Sequence, residues 1–162
     1  MEITCLFCVR KTQILCEESD MQNEYNGIEK RLDELNERLA RLEPLKNRPR
    51  TDFDQDAYLR DIVERNLEIA IQCCIDVCHR IISLENARKP ADYYEAILLM
   101  GELGVIPSAF GRKIAPIAGF RNILVHEYLV LDWDEVYRNL QQLSDLEQFA
   151  EMIRSWLRSK NG

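Results

Sequence analysis

Four residues in one apolar stretch, Gly119-Phe-Arg-Asn-Ile-Leu-Val-His-Glu-Tyr-Leu129, carry groups suited to phosphate and proton chemistry: Arg121, Asn122, His126 and Tyr128. Imidazole is the side chain that changes charge near neutral pH, so it can both take and give a proton. A guanidinium holds a permanent charge on a planar fork that matches phosphate oxygens. Metal-independent transfer at a phosphodiester needs a base for the attacking hydroxyl, an acid for the leaving oxygen and positive charge on the phosphorane. The types present suit those roles, with His126 as general acid/base, Arg121 as phosphate clamp and Asn122 as positioner.

Spacing brings the groups together. On an ideal helix, at about 100° per residue, Asn122 lies about 100° and His126 about 140° round from Arg121. Phe120, Ile123 and Leu124 fall on the other arc as core anchors, and Tyr128 returns to within about 20° of Arg121 two turns on. Asn122 and His126 are an i, i+4 pair, in which the amide can orient the imidazole. One helix supplies one histidine, whereas acid plus base takes two carriers or one serving twice. A symmetric homodimer that juxtaposes the polar arcs supplies the second set.

The elements that must position this segment are helical. Ile28, Leu32, Leu35, Leu39 and Leu42 recur at spacings of four and three, a narrow seam on a first helix. Pro44 and Pro49 bracket a basic linker, Leu45-Lys-Asn-Arg-Pro-Arg50, after which Thr51 or Asp52 is a candidate cap. A second helix over about residues 55–85 carries Ile62, Ile69, Cys73, Val77 and Ile81 on a broad apolar surface, interrupted by Asn66 and Asp76. A carboxylate on an apolar face must find a donor. For Asp76 the candidates are Arg121 or His126 across the core, or Arg80 one turn on. A short helix over about 91–103 ends at Gly104, a suitable C′ residue, and Pro107 opens the next segment. Pro116 should bend or delay the motif helix, and residues 129–132 form a turn with Asp132 or Asp134 as cap. A last helix is predicted from Trp133 to about Ser159. The expected fold is an all-α antiparallel bundle of about five helices over residues 23–160, behind an N-terminal extension, 1–22, that is poorly ordered.

At this point the sequence resembles the HEPN superfamily, and within it the HepT-like branch, whose signature R-x4-H-x-Y is matched by Arg121, His126 and Tyr128. The upstream RDIVERNLEIAIQCCIDVCHRII and ADYYEAILLMGELGVIPSAF are similar to the branch's preceding helix and intervening segment, and the likeness spans roughly residues 25–157. The resemblance implies a homodimer, or a higher oligomer, with the motifs in a shared cleft. It implies a metal-independent ribonuclease acting on transfer or messenger RNA, with no cofactor. It also implies the toxin of a type VII (HepT–MntA) toxin–antitoxin pair, silenced when a MntA-like nucleotidyltransferase antitoxin adds AMP to Tyr128. Added phosphates would set negative charge beside Arg121 and bulk in the cleft. The alternative within the same superfamily is a non-catalytic module that binds a nucleotide or RNA and partners a nucleotidyltransferase.

Composition narrows the field further. With 162 residues, 46% hydrophobic, the chain suits one core and not two ordinary domains. A net charge of −7 argues against indiscriminate nucleic-acid binding, so positive charge must be concentrated locally. Arg48, Arg50, Arg112 and Lys113, with Arg41 and Lys46, are candidates for the RNA approach. No GxxxxGK[ST] loop is present, and no apolar run nears the ~18 residues of a membrane span, so no membrane partner is expected. Arg10 and Lys11 follow the short N-terminal apolar stretch, the wrong order for a secretory signal, and the expected location is cytoplasmic. Cys73, Cys74 and Cys78 read as small buried thiols; Cys5, Cys8 and Cys16 include a CxxC that lacks two further ligands, so no metal site is expected.

Overall fold

The computed structural model describes residues 6–126 and 131–160, with side chains described at Tyr25 and from Gly27 onward in those ranges. Among them the chain forms eight α-helical segments and no strand. They are α1 (Leu6–Lys46), α2 (Arg50–Gln55), α3 (Ala57–Leu84), α4 (Tyr93–Glu102), α5 (Ser108–Ile114), α6 (Ile117–His126), α7 (Trp133–Leu140) and α8 (Leu143–Lys160). The fold is the expected all-α bundle, with α3 as the central helix: it packs against α1, α2, α4, α6, α7 and α8.

The five predicted helices become eight for identifiable reasons. Pro44 does not end the first helix, which runs on to Lys46. Proline removes one backbone donor and crowds the carbonyl four residues back, a defect the last turn tolerates because little helix follows. Thr51 and Asp52 cap nothing; they sit in the first turn of α2, and Asp56 caps α3 by accepting from Leu59 N–H at 3.1 Å. Pro116 separates α5 from α6 as expected. The last predicted helix breaks at Gln141-Gln142 without a proline or glycine. There the Gln141 side chain donates to Lys46 O (3.0 Å) and Tyr137 Oη to Arg48 O (3.0 Å), so tertiary hydrogen bonds hold α7 on the end of α1 while α8 packs along α1 and α3. At the other end α1 begins at Leu6, ahead of the predicted start near residue 23; the side chains of residues 6–24, Cys8 and Cys16 included, lie outside the described residues, as does Cys5.

The apolar seam of α1 is buried from Ile28 to Leu42, against the inner face of α3. On α3, Cys73, Cys74 and Cys78 are buried free thiols. Burial pushes the Cys73 thiol up to about 11 and those of Cys74 and Cys78 well above the usual range, which disfavours the thiolate at all three. Asn66, buried on the same helix, donates to Ile62 O (2.6 Å) and accepts from Arg38 Nη1 (3.4 Å), a tie between α3 and α1. Ile62, assigned above to the apolar surface, is instead 48% exposed, and Tyr58 one turn earlier is 82% exposed.

α4 closes with a two-bond cap at the predicted glycine. Gly104 has φ +70°, its N–H bonds Gly101 O (3.3 Å), and Val105 N–H bonds Met100 O (2.9 Å). The tight return brings α5 back on α4 so closely that a Cβ on Gly101 would lie 2.8 Å from Ser108 Cα. Backbone cannot yield as a side-chain tip can, so Gly101→Ala should destabilise the fold by about 1–3 kcal/mol despite alanine's better helix propensity. A urea midpoint equal to or above wild type would refute that packing argument.

After residues 127–130, which lie outside the described residues, an aromatic cluster holds the start of α7. Asp132 caps α7, Trp133 stacks on Phe53 with centroids 5.5 Å apart, and the Arg50 and Arg60 guanidinium groups lie over the Trp133 ring. Trp133 Nε1 donates to Glu64 Oε1 (2.9 Å), which offsets part of the upward push that burial gives this carboxyl.

Candidate active site

α6 is a ten-residue helix that buries Ala118 and Phe120 and half-buries Ile117 and Leu124 against the core. Its other side carries Arg121 half-buried and Asn122 and His126 exposed, the division expected from the helical spacing. His126 is the last residue of α6, and Tyr128 lies outside the described residues.

Arg121 is held from three sides. Its Nε donates to Gln72 Oε1 on α3 (2.8 Å), its Nη1 lies 3.4 Å from Asn122 Oδ1, and its guanidinium carbon sits 5.7 Å from the ring centroid of Tyr93 on α4. Bonding through Nε uses the one guanidinium N–H that is not part of the terminal fork. A half-buried arginine fixed in this way has already lost much of its rotamer freedom before it meets an anion. The Tyr93 ring is flanked on its other contact by His79, at 5.7 Å and nearly perpendicular; His79 Nε2 is buried with no hydrogen-bond partner among the described residues.

Asp76 does not touch Arg121 or His126 directly. Its Oδ1 accepts from Gln72 Nε2 (2.7 Å), and its Oδ2 lies 3.6 Å from Arg31 Nε on α1. The carboxylate therefore reaches the motif at one remove, through the Gln72 amide. Asn122 also differs from its expected pairing: among the described residues it makes no hydrogen bond to His126 and turns its oxygen towards Arg121 instead. A lone polar side chain beside a guanidinium finds the nearer and stronger donor.

The basic residues assigned to an RNA approach are mostly matched with acids. Arg48 pairs with Asp52 (3.8 Å), Arg50 with Asp54 and with Asp134 (3.0 Å), and Lys113 with Asp145 (2.6 Å); Arg41 and Lys46 pair with Glu37 and Glu43. Arg112 is exposed. Lys113 and Asp145 also rim a cavity of about 180 Å³ lined by Ile117 and Phe120, so Lys113 stands on the core side of α6 and not beside Arg121. Among the described residues no three His, Cys, Asp or Glu side chains group as metal ligands, and no helix is long and apolar enough to cross a membrane.

Two members of the site, Gln72 and Tyr93, had no sequence signal as strong as the motif's own. Gln72 stands one turn before Asp76 on the same face, which is the only hint of it. Tyr93 is recognisable only once α4 has been laid against α6.

Comparison with known proteins is consistent in direction. The family model described as "Ribonuclease HepT-like" matches residues 25–153. An mRNA nuclease HepT of Shewanella oneidensis is 31% identical over 104 residues, covering 64% of this chain and 78% of that protein. A tRNA nuclease HepT of Aphanizomenon flos-aquae is 29% identical over 131 residues, covering 80% and 89%. A solved structure of a tri-AMPylated Shewanella oneidensis HEPN toxin in complex with MNT antitoxin superposes with a TM-score of 0.71 at 26% identity, over 79% of this chain and 96% of that one.

Proposed function

The chain belongs to the HepT-like ribonuclease family, and from that membership together with the braced Arg121 we propose that it is a metal-independent endoribonuclease and the toxin of a toxin–antitoxin pair. The observation that carries the reading is a pre-fixed cation, Arg121, on the same short helix as an exposed imidazole five residues on, His126.

In this reading Arg121 grips a phosphate through its terminal nitrogens and stabilises the charge that builds on the phosphorane. Asn122 helps to hold that fork and can take a second phosphate or sugar contact. The 2′-oxygen attacks the adjacent phosphorus as a base removes its proton, the P–O5′ bond breaks, and an acid protonates the departing 5′-oxygen. His126 is the proton carrier. A second copy of the chain supplies a second His126, so that base and acid are separate groups.

A stripe on α3, exposed at Tyr58, Ile62 and Arg65 and half-buried at Ile69, Gln72 and Asp76, supports the dimer. Tyr58, Ile62, Arg65, Ile69, Gln72 and Asp76 fall within about 80° of one another on an ideal helix, so the exposed apolar residues run directly towards the Gln72–Arg121 contact. A second copy laid along the same stripe with the two Gln72 ends together would cover Tyr58 and Ile62 and place two motifs side by side. Ile62→Asp should shift the protein from dimer to monomer in light scattering at micromolar concentration and lower cleavage in parallel. A monomeric wild type with full cleavage would remove the dimer from the mechanism.

The toxin relative solved with its MNT antitoxin is described as tri-AMPylated, which supports a nucleotidyltransferase partner that adds AMP to this chain, and the motif tyrosine, Tyr128, is the position we assign to that modification. The location that follows is the cytoplasm. The direct test is incubation of total RNA with the purified chain in excess chelator, beside His126→Ala and Arg121→Ala. Discrete fragments from wild type alone support the nuclease. Intact RNA in every lane, from protein shown by mass to be unmodified, moves the assignment to a non-catalytic binding module.

A further inference from the structure

A continuous polar line crosses three helices behind the motif. It runs from Arg31 on α1 to Asp76 on α3 (3.6 Å), from Asp76 to the Gln72 amide nitrogen (2.7 Å), and from the Gln72 carbonyl oxygen to Arg121 Nε on α6 (2.8 Å). We propose that Gln72, oriented by Asp76, is the positioning residue for Arg121: a neutral acceptor that fixes the guanidinium without cancelling its charge.

Two chemical facts make the arrangement directional. A primary amide has a donor end and an acceptor end, and either could face Arg121. An ionised carboxylate only accepts, so Asp76 draws the Gln72 NH2 group to itself and leaves the carbonyl for Arg121. The second concerns charge. An acidic residue at position 72 would hold the guanidinium as firmly, but it would form an ion pair and compete with the phosphate for the same cation. Placing the acid one residue further back retains the orientation and keeps the net positive charge at the fork. Tyr93 completes the seat, because the electron-rich ring face favours a cation over it and fixes the guanidinium plane.

This inference rests on the proposed nuclease reading but is separable from it, because the orientation of Arg121 can be read with no RNA present. In the unliganded full-length protein, the Arg121 Nε–H resonance should be resolved and protected from solvent exchange by NMR. Gln72→Met, close in shape but unable to accept that bond, should speed its exchange at least about 10-fold and lower kcat for RNA by about 10- to 100-fold, the scale of a misplaced catalytic group. Gln72→Glu should keep the protection and still lose activity, with KM raised and a weaker response of short-RNA affinity to salt, since one phosphate-facing charge has been neutralised. Asp76→Asn should show a smaller loss that disappears in the Gln72→Met background, because both act through one bond. Wild-type exchange in Gln72→Met, wild-type kinetics in Gln72→Glu, or additive losses in the double variant would each overturn the proposal. If wild type cleaves no RNA, the exchange data and the salt dependence of short-RNA binding still decide it.

Discussion

His126→Ala should lower RNA cleavage by at least about 100-fold while leaving RNA affinity within about threefold of wild type. Positioned proton transfer contributes about 10²–10⁴ in rate, and in a symmetric dimer the substitution removes both carriers at once. Stability should barely change: His126 is exposed in the last turn of α6, and such surface substitutions away from caps and buried networks usually stay within about 0.5 kcal/mol. The measurement is single-turnover cleavage of a defined RNA in chelator, beside equilibrium binding of the same RNA blocked by a 2′-O-methyl group at the cleaved position. Imidazole added to the buffer should restore part of the lost rate, because the cavity left at an exposed site is open to a small base. Cleavage that survives the substitution would assign the proton transfers elsewhere. Loss of binding in step with rate would instead make His126 a contact residue.

The division of α6 into a core side and a chemical side was legible in the sequence because it depends only on helical periodicity, and Phe120 and Arg121 fall where that period puts them. The seam of α1, the central α3 and the glycine cap of α4 were legible for the same reason: each is a local pattern that tertiary contacts reinforce. What the sequence did not show was long-range. The break at Gln141-Gln142 has no local breaker and follows from hydrogen bonds to residues nearly a hundred positions away, Lys46 and Arg48. The partner of Asp76 was open between Arg121, His126 and Arg80, and the structure interposes Gln72, a residue without charge and therefore without a pattern to announce it. The basic residues illustrate a further limit. Arg48, Arg50 and Lys113 count as positive charge in a composition, yet each stands beside a carboxylate, whereas the described partners of Arg121 are all neutral.

That contrast sets the second large expectation. Arg121→Lys should be nearly as damaging as Arg121→Ala, each lowering cleavage by about 10²–10³, the scale seen when one group that stabilises transition-state charge is removed. Charge alone is retained by lysine, so a mechanism needing only a local positive potential would survive the exchange. The geometry here asks for more. Arg121 spends Nε on Gln72 and turns one Nη1 hydrogen towards Asn122, which leaves Nη2 and the other Nη1 hydrogen for a phosphate, whereas the single ammonium of lysine must choose between the Gln72 carbonyl and the substrate. The contact to a fixed neutral acceptor would draw the ammonium inward, towards Tyr93, and away from the exposed side of α6. Lysine should therefore preserve most of the RNA affinity and most of its salt dependence while losing the rate, and alanine should lose both. Removing the acceptor should then help: Arg121→Lys combined with Gln72→Met should be faster than Arg121→Lys alone, because the ammonium no longer has a competing partner. A lysine variant within threefold of wild type, or a double variant slower than the single, would show that the fork and its brace do not act as described.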